Sequence, residues 1–366
     1  MKLFYTGLLW LICAVCLAQD KTHTSYLDVN YFSGYIGLHN DEILHLIQEH
    51  PQGIIVSWNK KTFGYEDWEQ RFGYPDLGFS LAYQNFNNSV LGNNLSVYAH
   101  YNFYFFNRNL MLRIGQGMAY NSNPYDRETN FKNVAFGSTF MSSTYAMLQY
   151  KKERIFDKFG LQAGFSLIHY SNANVKAPNN GTNTIAFNVG VTYNLDDENL
   201  EYQRTLDRKA DRKFTEPIKY NVVFRGGVNE SDLIGSGQYP FYILSAYADK
   251  RINRKSALQL GADLFFSNFL KELIKFRSVA FPEENVSGDE DFKRVGVFVG
   301  HELFINKLSL LSQVGYYVYY PFEFEGRTYI RAGLKRYFGK KWFGAVTLKS
   351  HGFRAEAVEF GVGLRL

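Results

Sequence analysis

Apolar residues alternate with small or polar ones at a period of two over several segments of about ten residues in this chain. This alternation is clearest in residues 159–167, 185–193 and 358–366, where every second residue is apolar. Successive side chains of a β-strand point to opposite faces, so each segment predicts a strand with one apolar face. A tilted strand needs about nine to eleven residues to cross a bilayer, whereas soluble sandwiches use shorter strands on average. The pattern therefore predicts a membrane-spanning β-barrel.

Sixteen segments of this kind can be placed along the chain, and an even number leaves both chain ends on one side of the membrane. They are residues 26–37, 53–60, 76–86, 94–106, 110–120, 138–151, 159–170, 184–194, 220–228, 240–252, 256–267, 294–304, 308–320, 328–338, 342–350 and 356–366. The first two are the least secure, because residues 41–50 could form a short helix, so that 12 or 14 strands are also open. We predict an all-β fold, a closed antiparallel transmembrane β-barrel of about 12–16 strands.

Residues 195–219 separate two groups of eight segments and are dense in both acidic and basic residues. Such a composition is typical of a solvated loop or a short helix. It could also be a junction between two halves, which either merge into one barrel or stand as two eight-stranded lobes. We therefore divide the mature chain into a first barrel half at 19–194, a charged periplasmic connection at 195–219 and a second barrel half at 220–366.

Residues 1–18 are predicted to be a signal peptide, with a basic start, an apolar run and Ala18 at the cleavage position. A lipoprotein leader is disfavoured, because neither Cys13 nor Cys16 follows a small residue, and an uncleaved anchor would be short for a span. These are the only two cysteines, so the mature chain is expected to lack disulfides. Export and the barrel pattern together predict the cell outer membrane. A net charge of +5 over 366 residues, with no basic cluster, indicates no nucleic-acid partner.

One group of polar residues is a candidate catalytic site. These residues lie where one predicted strand ends and the next begins. His169 and Ser171 share a strand face with Cβ atoms roughly 6–7 Å apart, and an imidazole so placed can act as general base toward a hydroxyl. Both have the parity of the apolar residues in 159–167, and Asn183 has that of the apolar residues in 185–193. The three side chains should therefore point outward, toward lipid. We expect Ser171 Oγ to lie within about 3.5 Å of a ring nitrogen of His169, with a longer distance tolerated before substrate binds.

The same stretch resembles the signature of the lipid A 3-O-deacylase family, which reads His-x-Ser-Asn-Ala followed by Pro-Asn-x-Gly. Here the two parts run from His169 to Ala173 and from Pro178 to Gly181, and the resemblance extends over roughly 75–195. Family members are small eight-stranded outer-membrane barrels with a Ser-His-Glu triad on the outer wall. The chain is thus similar to that family but more than twice as long.

The resemblance implies a role for each residue of the motif. Ser171 would be the nucleophile, His169 the general base, and Asn179 an oxyanion donor. The second oxyanion donor of the family is the backbone N–H of a glycine after Asn-Ala, and Asn174 stands at that position. The family's Glu, fourteen residues after the His, is Asn183 in this chain. An Asn can orient the imidazole but cannot stabilise an imidazolium by charge.

The function that the resemblance implies is an outer-membrane serine esterase, a carboxylic ester hydrolase that removes an ester-linked acyl chain from lipid A. Its partner would be lipopolysaccharide of the outer leaflet, and it would need no cofactor. No metal site is predicted, because His39, His45 and His50 lack zinc spacing with a third convincing ligand. The alternative is a non-catalytic barrel, porin-like or a scaffold, that keeps the loop for its shape. A homodimer stays open as well.

Overall fold

Two closed barrels of eight antiparallel strands each make up the chain. The computed structural model describes residues 24–196, 200–352 and 354–366, so the predicted signal peptide lies outside the described residues. The all-β antiparallel barrel fold is confirmed, and each predicted segment corresponds to one of sixteen strands. The strands do not merge into one barrel: they close as the two-lobe alternative. Within these ranges, no helix is both long and apolar enough to cross a membrane.

In the first barrel each strand pairs with its neighbours in sequence, and the first strand closes on the eighth. The strands are β1 (Ser25–Ile36), β2 (Gln52–Lys60), β3 (Asp76–Asn85), β4 (Asn93–Phe105), β5 (Leu110–Asn121), β6 (Phe140–Phe156), β7 (Phe159–Ser171) and β8 (Thr182–Asn194). A 3-10 helix at Asp41–Leu46 follows β1, where a short helix was considered from the sequence, and helix α1 (Asp67–Arg71) precedes β3.

The second barrel repeats this order, and its last strand closes on its first. The strands are β9 (Lys219–Asn229), β10 (Tyr239–Arg251), β11 (Ser256–Ser267), β12 (Lys293–Phe304), β13 (Leu308–Tyr319), β14 (Thr328–Phe338), β15 (Trp342–His351) and β16 (Arg354–Arg365). Helix α2 (Arg208–Lys213) lies in the connection between the barrels. Helix α3 (Asn268–Ala280) and a 3-10 helix (Pro282–Glu284) lie between β11 and β12.

The outward faces are apolar, whereas the interiors combine polar and charged side chains with clusters of buried apolar and aromatic ones. On β7, Phe165 and Leu167 are exposed on the barrel wall while Ser166 and Ile168 are buried inside. Apolar side chains are favoured in contact with lipid, so the apolar residues of the period-two pattern lie on the outward face of each strand. An interior of eight strands is just wide enough for side chains to fill.

The interior of the first barrel centres on a fully buried ion pair. Arg113 on β5 donates to Asp28 on β1, with 2.6 Å between Nη2 and Oδ2, and both side chains are fully buried. Arg113 also donates to Asn59 Oδ1 and Ser57 Oγ on β2. A buried charge is tolerated when it is paired and its remaining donors are satisfied.

The second barrel is filled in the same way. Arg331 on β14 donates to Asp263 at 2.8 Å and to Glu359 at 2.6 Å, and Arg294 pairs with Glu356 at 2.6 Å. Each pair joins strands that are distant around the barrel wall, so the charges cross-link the interior. Both barrels therefore have packed polar cores.

The Arg113 pair generates a stability prediction. Arg113→Met leaves the Asp28 carboxylate buried without its counter-ion, and we expect a loss of about 3–5 kcal/mol in the free energy of unfolding. Urea unfolding in detergent micelles measures it. Lys275→Met is the control: it removes an exposed ion pair with Glu272, and exposed pairs contribute little. Similar losses in the two variants would contradict the proposed role of the buried pair.

Candidate active site

The hairpin of β7 and β8 places a His–Asn pair on the outer wall of the first barrel. His169 and Asn183 are directly opposite each other across the two strands, and His169 Nδ1 lies 2.7 Å from Asn183 Oδ1. Both side chains are partly exposed. Leu167 and Ile185, two residues away on the same face, are exposed as well. The outward direction expected from side-chain parity is thus the one observed.

The His–Asn hydrogen bond determines which ring nitrogen is available for chemistry. Asn183 Oδ1 can only accept, so the hydrogen of the neutral imidazole is on Nδ1. The lone pair of the neutral ring is then on Nε2, the nitrogen that can accept a proton. No carboxylate takes part in this pair, so the arrangement orients the ring without a charge partner.

Ser171 is buried, with 8% of the residue exposed. Ser171 Oγ donates to Asn179 Oδ1 at 3.0 Å and accepts from the Ala173 N–H at 2.9 Å. Among the residues that the structure describes, no hydrogen bond joins Ser171 to His169. In this conformation the Asn179 amide oxygen, rather than the His169 ring, accepts from the Ser171 hydroxyl.

Gly181 nevertheless keeps the serine and the histidine close together. A Cβ placed on Gly181 would lie 3.5 Å from Ser171 Cβ and 3.6 Å from His169 Cε1, so both side chains surround one glycine. The same Cβ would lie 2.7 Å from the carbonyl oxygen of Tyr170, and Gly181 has a φ of +66°. A side chain at this position would therefore both clash and strain the backbone.

Residues 172–180, which we call the site loop, bring the two predicted oxyanion residues together. Asn179 Nδ2 donates to Asn174 Oδ1 at 3.0 Å, and Asn179 Oδ1 also accepts from the backbone N–H of Asn172 at 2.7 Å. Ala173 and Asn174 are both in the left-handed region, with φ of +53° and +58°. Within the described ranges, no hydrogen bond uses the backbone N–H of Asn174, so this donor is free.

Two other loops of the first barrel support the site loop. The N–H groups of Asn180 and Gly181 donate to the carbonyls of Val134 and Ala135, in the connection between β5 and β6. His39, after β1, lies with Nε2 2.9 Å from the carbonyl oxygen of Asn180. The sequence analysis considered His39 only as a metal ligand and missed this contact, because it joins residues far apart in the chain and no local pattern marks it.

Metal-binding geometry is not found near this hairpin. In the part of the chain that the structure describes, no group of three or more His, Cys, Asp or Glu side chains could hold a metal ion. The side chains that meet at the rim are a hydroxyl, an imidazole and carboxamides. They are the groups needed for nucleophilic attack, proton transfer and oxyanion binding.

Two family models match the chain, one for each barrel. The model described as lipid A 3-O-deacylase matches residues 52–192, and the model described as acyloxyacyl hydrolase, C-terminal domain, matches residues 218–366. Together the two ranges cover most of the chain. No curated protein matches it.

Solved structures with some similarity include outer membrane protein Omp33 of Acinetobacter baumannii, at 8% identity over 94% of this chain and 98% of that one, with a TM-score of 0.18. OccK11 of Pseudomonas aeruginosa is 12% identical over 94% of this chain and 95% of that one, with a TM-score of 0.23. Similarity at these TM-scores does not support a family assignment, which rests on the two family models. The chain belongs to the lipid A 3-O-deacylase and acyloxyacyl hydrolase family of outer-membrane hydrolases.

Proposed function

We propose that the chain is a serine esterase that hydrolyses an ester-linked acyl chain of lipid A at the outer rim of the first barrel. The observation that carries this proposal is the outward-facing His169–Asn183 pair beside Ser171, covered by a loop with a free backbone donor. An outward site meets the acyl chains of the outer leaflet directly. A soluble substrate would instead need a path through a barrel whose interior is filled by side chains.

The first step is attack by Ser171 Oγ on the ester carbonyl carbon. For this step the hydroxyl leaves Asn179 Oδ1 and donates instead to His169 Nε2. His169 takes the hydroxyl proton as the new carbon–oxygen bond forms. Asn183 accepts from Nδ1 throughout, and so keeps Nε2 directed at the reacting atoms.

The tetrahedral intermediate carries its negative charge on the former carbonyl oxygen. The backbone N–H of Asn174 is free to donate to that oxygen, and Asn179 Nδ2 has a second hydrogen beyond the one given to Asn174 Oδ1. Protonated His169 then gives its proton to the departing alkoxide of lipid A, and the acyl chain stays on Ser171. Water attacks this acyl-enzyme, His169 takes a proton from the water and returns it to Ser171 Oγ, and a free fatty acid leaves.

The serine generates the central prediction. Cells that express the wild-type chain should produce lipid A lighter by one acyl group, whereas Ser171→Ala should leave the mass unchanged, because no nucleophile remains. Mass spectrometry of extracted lipid A measures this. The matched control is Ser166→Ala on the same strand, which faces the interior and should behave as the wild type. Identical spectra from wild type and Ser171→Ala would instead support the non-catalytic barrel.

A substitution at Asn183 is predicted to raise the activity rather than abolish it. A carboxylate at this position would stabilise the imidazolium that forms when His169 takes the proton, so Asn183→Glu should raise kcat by about tenfold or more. The reverse change, from Asp to Asn in a serine protease triad, lowers kcat by about 10⁴-fold. Asn183→Leu should lower kcat, since the ring loses its acceptor. The measurement is fatty-acid release from lipid A in micelles. A lower kcat in Asn183→Glu would show that Asn183 does not act through the imidazole.

All residues in this proposal come from one chain, so the reaction needs no second copy. The homodimer left open from the sequence has no support in the contacts of the chain or in the comparisons.

A further inference from the structure

The second barrel contacts the site loop directly. The connection between β9 and β10, residues 230–238, lies against residues 174–177 of the first barrel. The N–H of Glu230 donates to the carbonyl of Asn174 at 2.8 Å, and the N–H of Ala177 donates back to Glu230 Oε2 at 2.9 Å. These two bonds connect a closed barrel to the loop that carries the proposed oxyanion donors.

Two side-chain contacts strengthen this junction. Asn174 Nδ2 donates to Asp232 Oδ1 at 3.2 Å, and Gln238 Nε2 donates to the carbonyl of Val175 at 2.7 Å. The site loop is therefore bonded to the second barrel at three positions, Asn174, Val175 and Ala177. Single contacts of this kind are common between neighbouring domains, but here they converge on one short segment.

Glu230 is the centre of the junction because both carboxylate oxygens are used. Oε2 accepts from Ala177, and Oε1 accepts from the N–H of Gly237 in its own loop at 3.1 Å. Glu230 and Ala177 are both about 5% exposed. A hydrogen bond to a carboxylate is stronger than one between neutral groups, and removing it would leave the buried Ala177 N–H without a partner. The bond therefore restrains the site loop.

This restraint matters because of the backbone conformation of Asn174. Its φ of +58° is one that glycine adopts freely and that residues with a Cβ adopt at a cost. Contacts from Glu230 and Asp232 hold both the carbonyl and the side chain of Asn174. They can therefore maintain the left-handed backbone that leaves the Asn174 N–H free.

We propose that the second barrel positions the oxyanion donors of the first, with Glu230 as the positioning residue. The inference rests on the proposed esterase function. Glu230 would not touch the substrate: it would hold Asn174 and Asn179 where the charge develops. A small displacement of such donors can lower the rate by about a hundredfold.

Contacts at the opposite end of the molecule supply a control. There the ammonium of Lys255, between β10 and β11, lies 4.5 Å from the ring centroid of Phe72 in the first barrel, and Asn306 Nδ2 lies 3.4 Å from Glu66 Oε2. These residues join the same two barrels but are remote from the site loop. Lys255→Met therefore weakens barrel packing without changing the loop.

The experiment measures kcat and KM for fatty-acid release by the full-length chain in micelles that contain lipid A, with the folded state checked by its electrophoretic mobility before and after heating. We expect Glu230→Ala to lower kcat by about tenfold or more with little change in KM. Glu230→Gln should recover much of the rate, because its amide oxygen can still accept from Ala177. Lys255→Met should match the wild type.

A second variant keeps the test decisive if Glu230→Ala does not fold. Asp232→Ala/Gln238→Ala removes the two contacts made by exposed side chains, and we expect the same selective fall in kcat. An unchanged kcat in either folded variant, or an equal fall in Lys255→Met, would overturn the positioning role while leaving the esterase intact. An inactive wild type would instead overturn the proposed function itself, and the positioning role with it.

Discussion

Every backbone N–H and C=O group that crosses a bilayer has to be paired within the protein, and a closed barrel achieves this with strands. Closure around eight strands has a further consequence, because it leaves an interior that side chains fill. In this chain the filling is polar and charged, with Arg113 on Asp28 in one barrel and Arg331 on Asp263 and Glu359 in the other. Neither interior is lined for passage of a solute. The outer wall and the loops are what remain for function.

A site on the outer wall explains several otherwise unrelated features of the β7–β8 hairpin. Polar residues continue the apolar face of each strand at the rim, where lipid headgroups would lie. The site loop folds back over Ser171, and glycine at 181 lets the loop pass close to Ser171 and His169. The Asn174 N–H is left without a partner among the described residues. Each feature is ordinary in itself, but together they are the parts that the proposed acyl transfer needs.

Much of the fold followed from the sequence, because the alternation of apolar residues is a local property of each strand. Each of the sixteen predicted segments corresponds to a strand. This includes the two least secure segments, which lie before and after the 3-10 helix at Asp41–Leu46. The number of barrels did not follow. Whether β8 pairs with β1 or with β9 depends on hydrogen bonds between residues far apart in sequence, such as Leu27 opposite Tyr193. The strand pattern itself is compatible with either closure.

The alternation in the sequence was enough to predict that His169 and Asn183 face outward, because side-chain direction in a strand depends only on counting by two. The hydrogen bond from Ser171 to Asn179, and the one from Ala177 of the site loop to Glu230 of the second barrel, could be known only from the folded structure. A loop has no repeating geometry from which its contacts could be counted. Its hydrogen bonds depend on how separately closed barrels pack, and no local pattern records that packing.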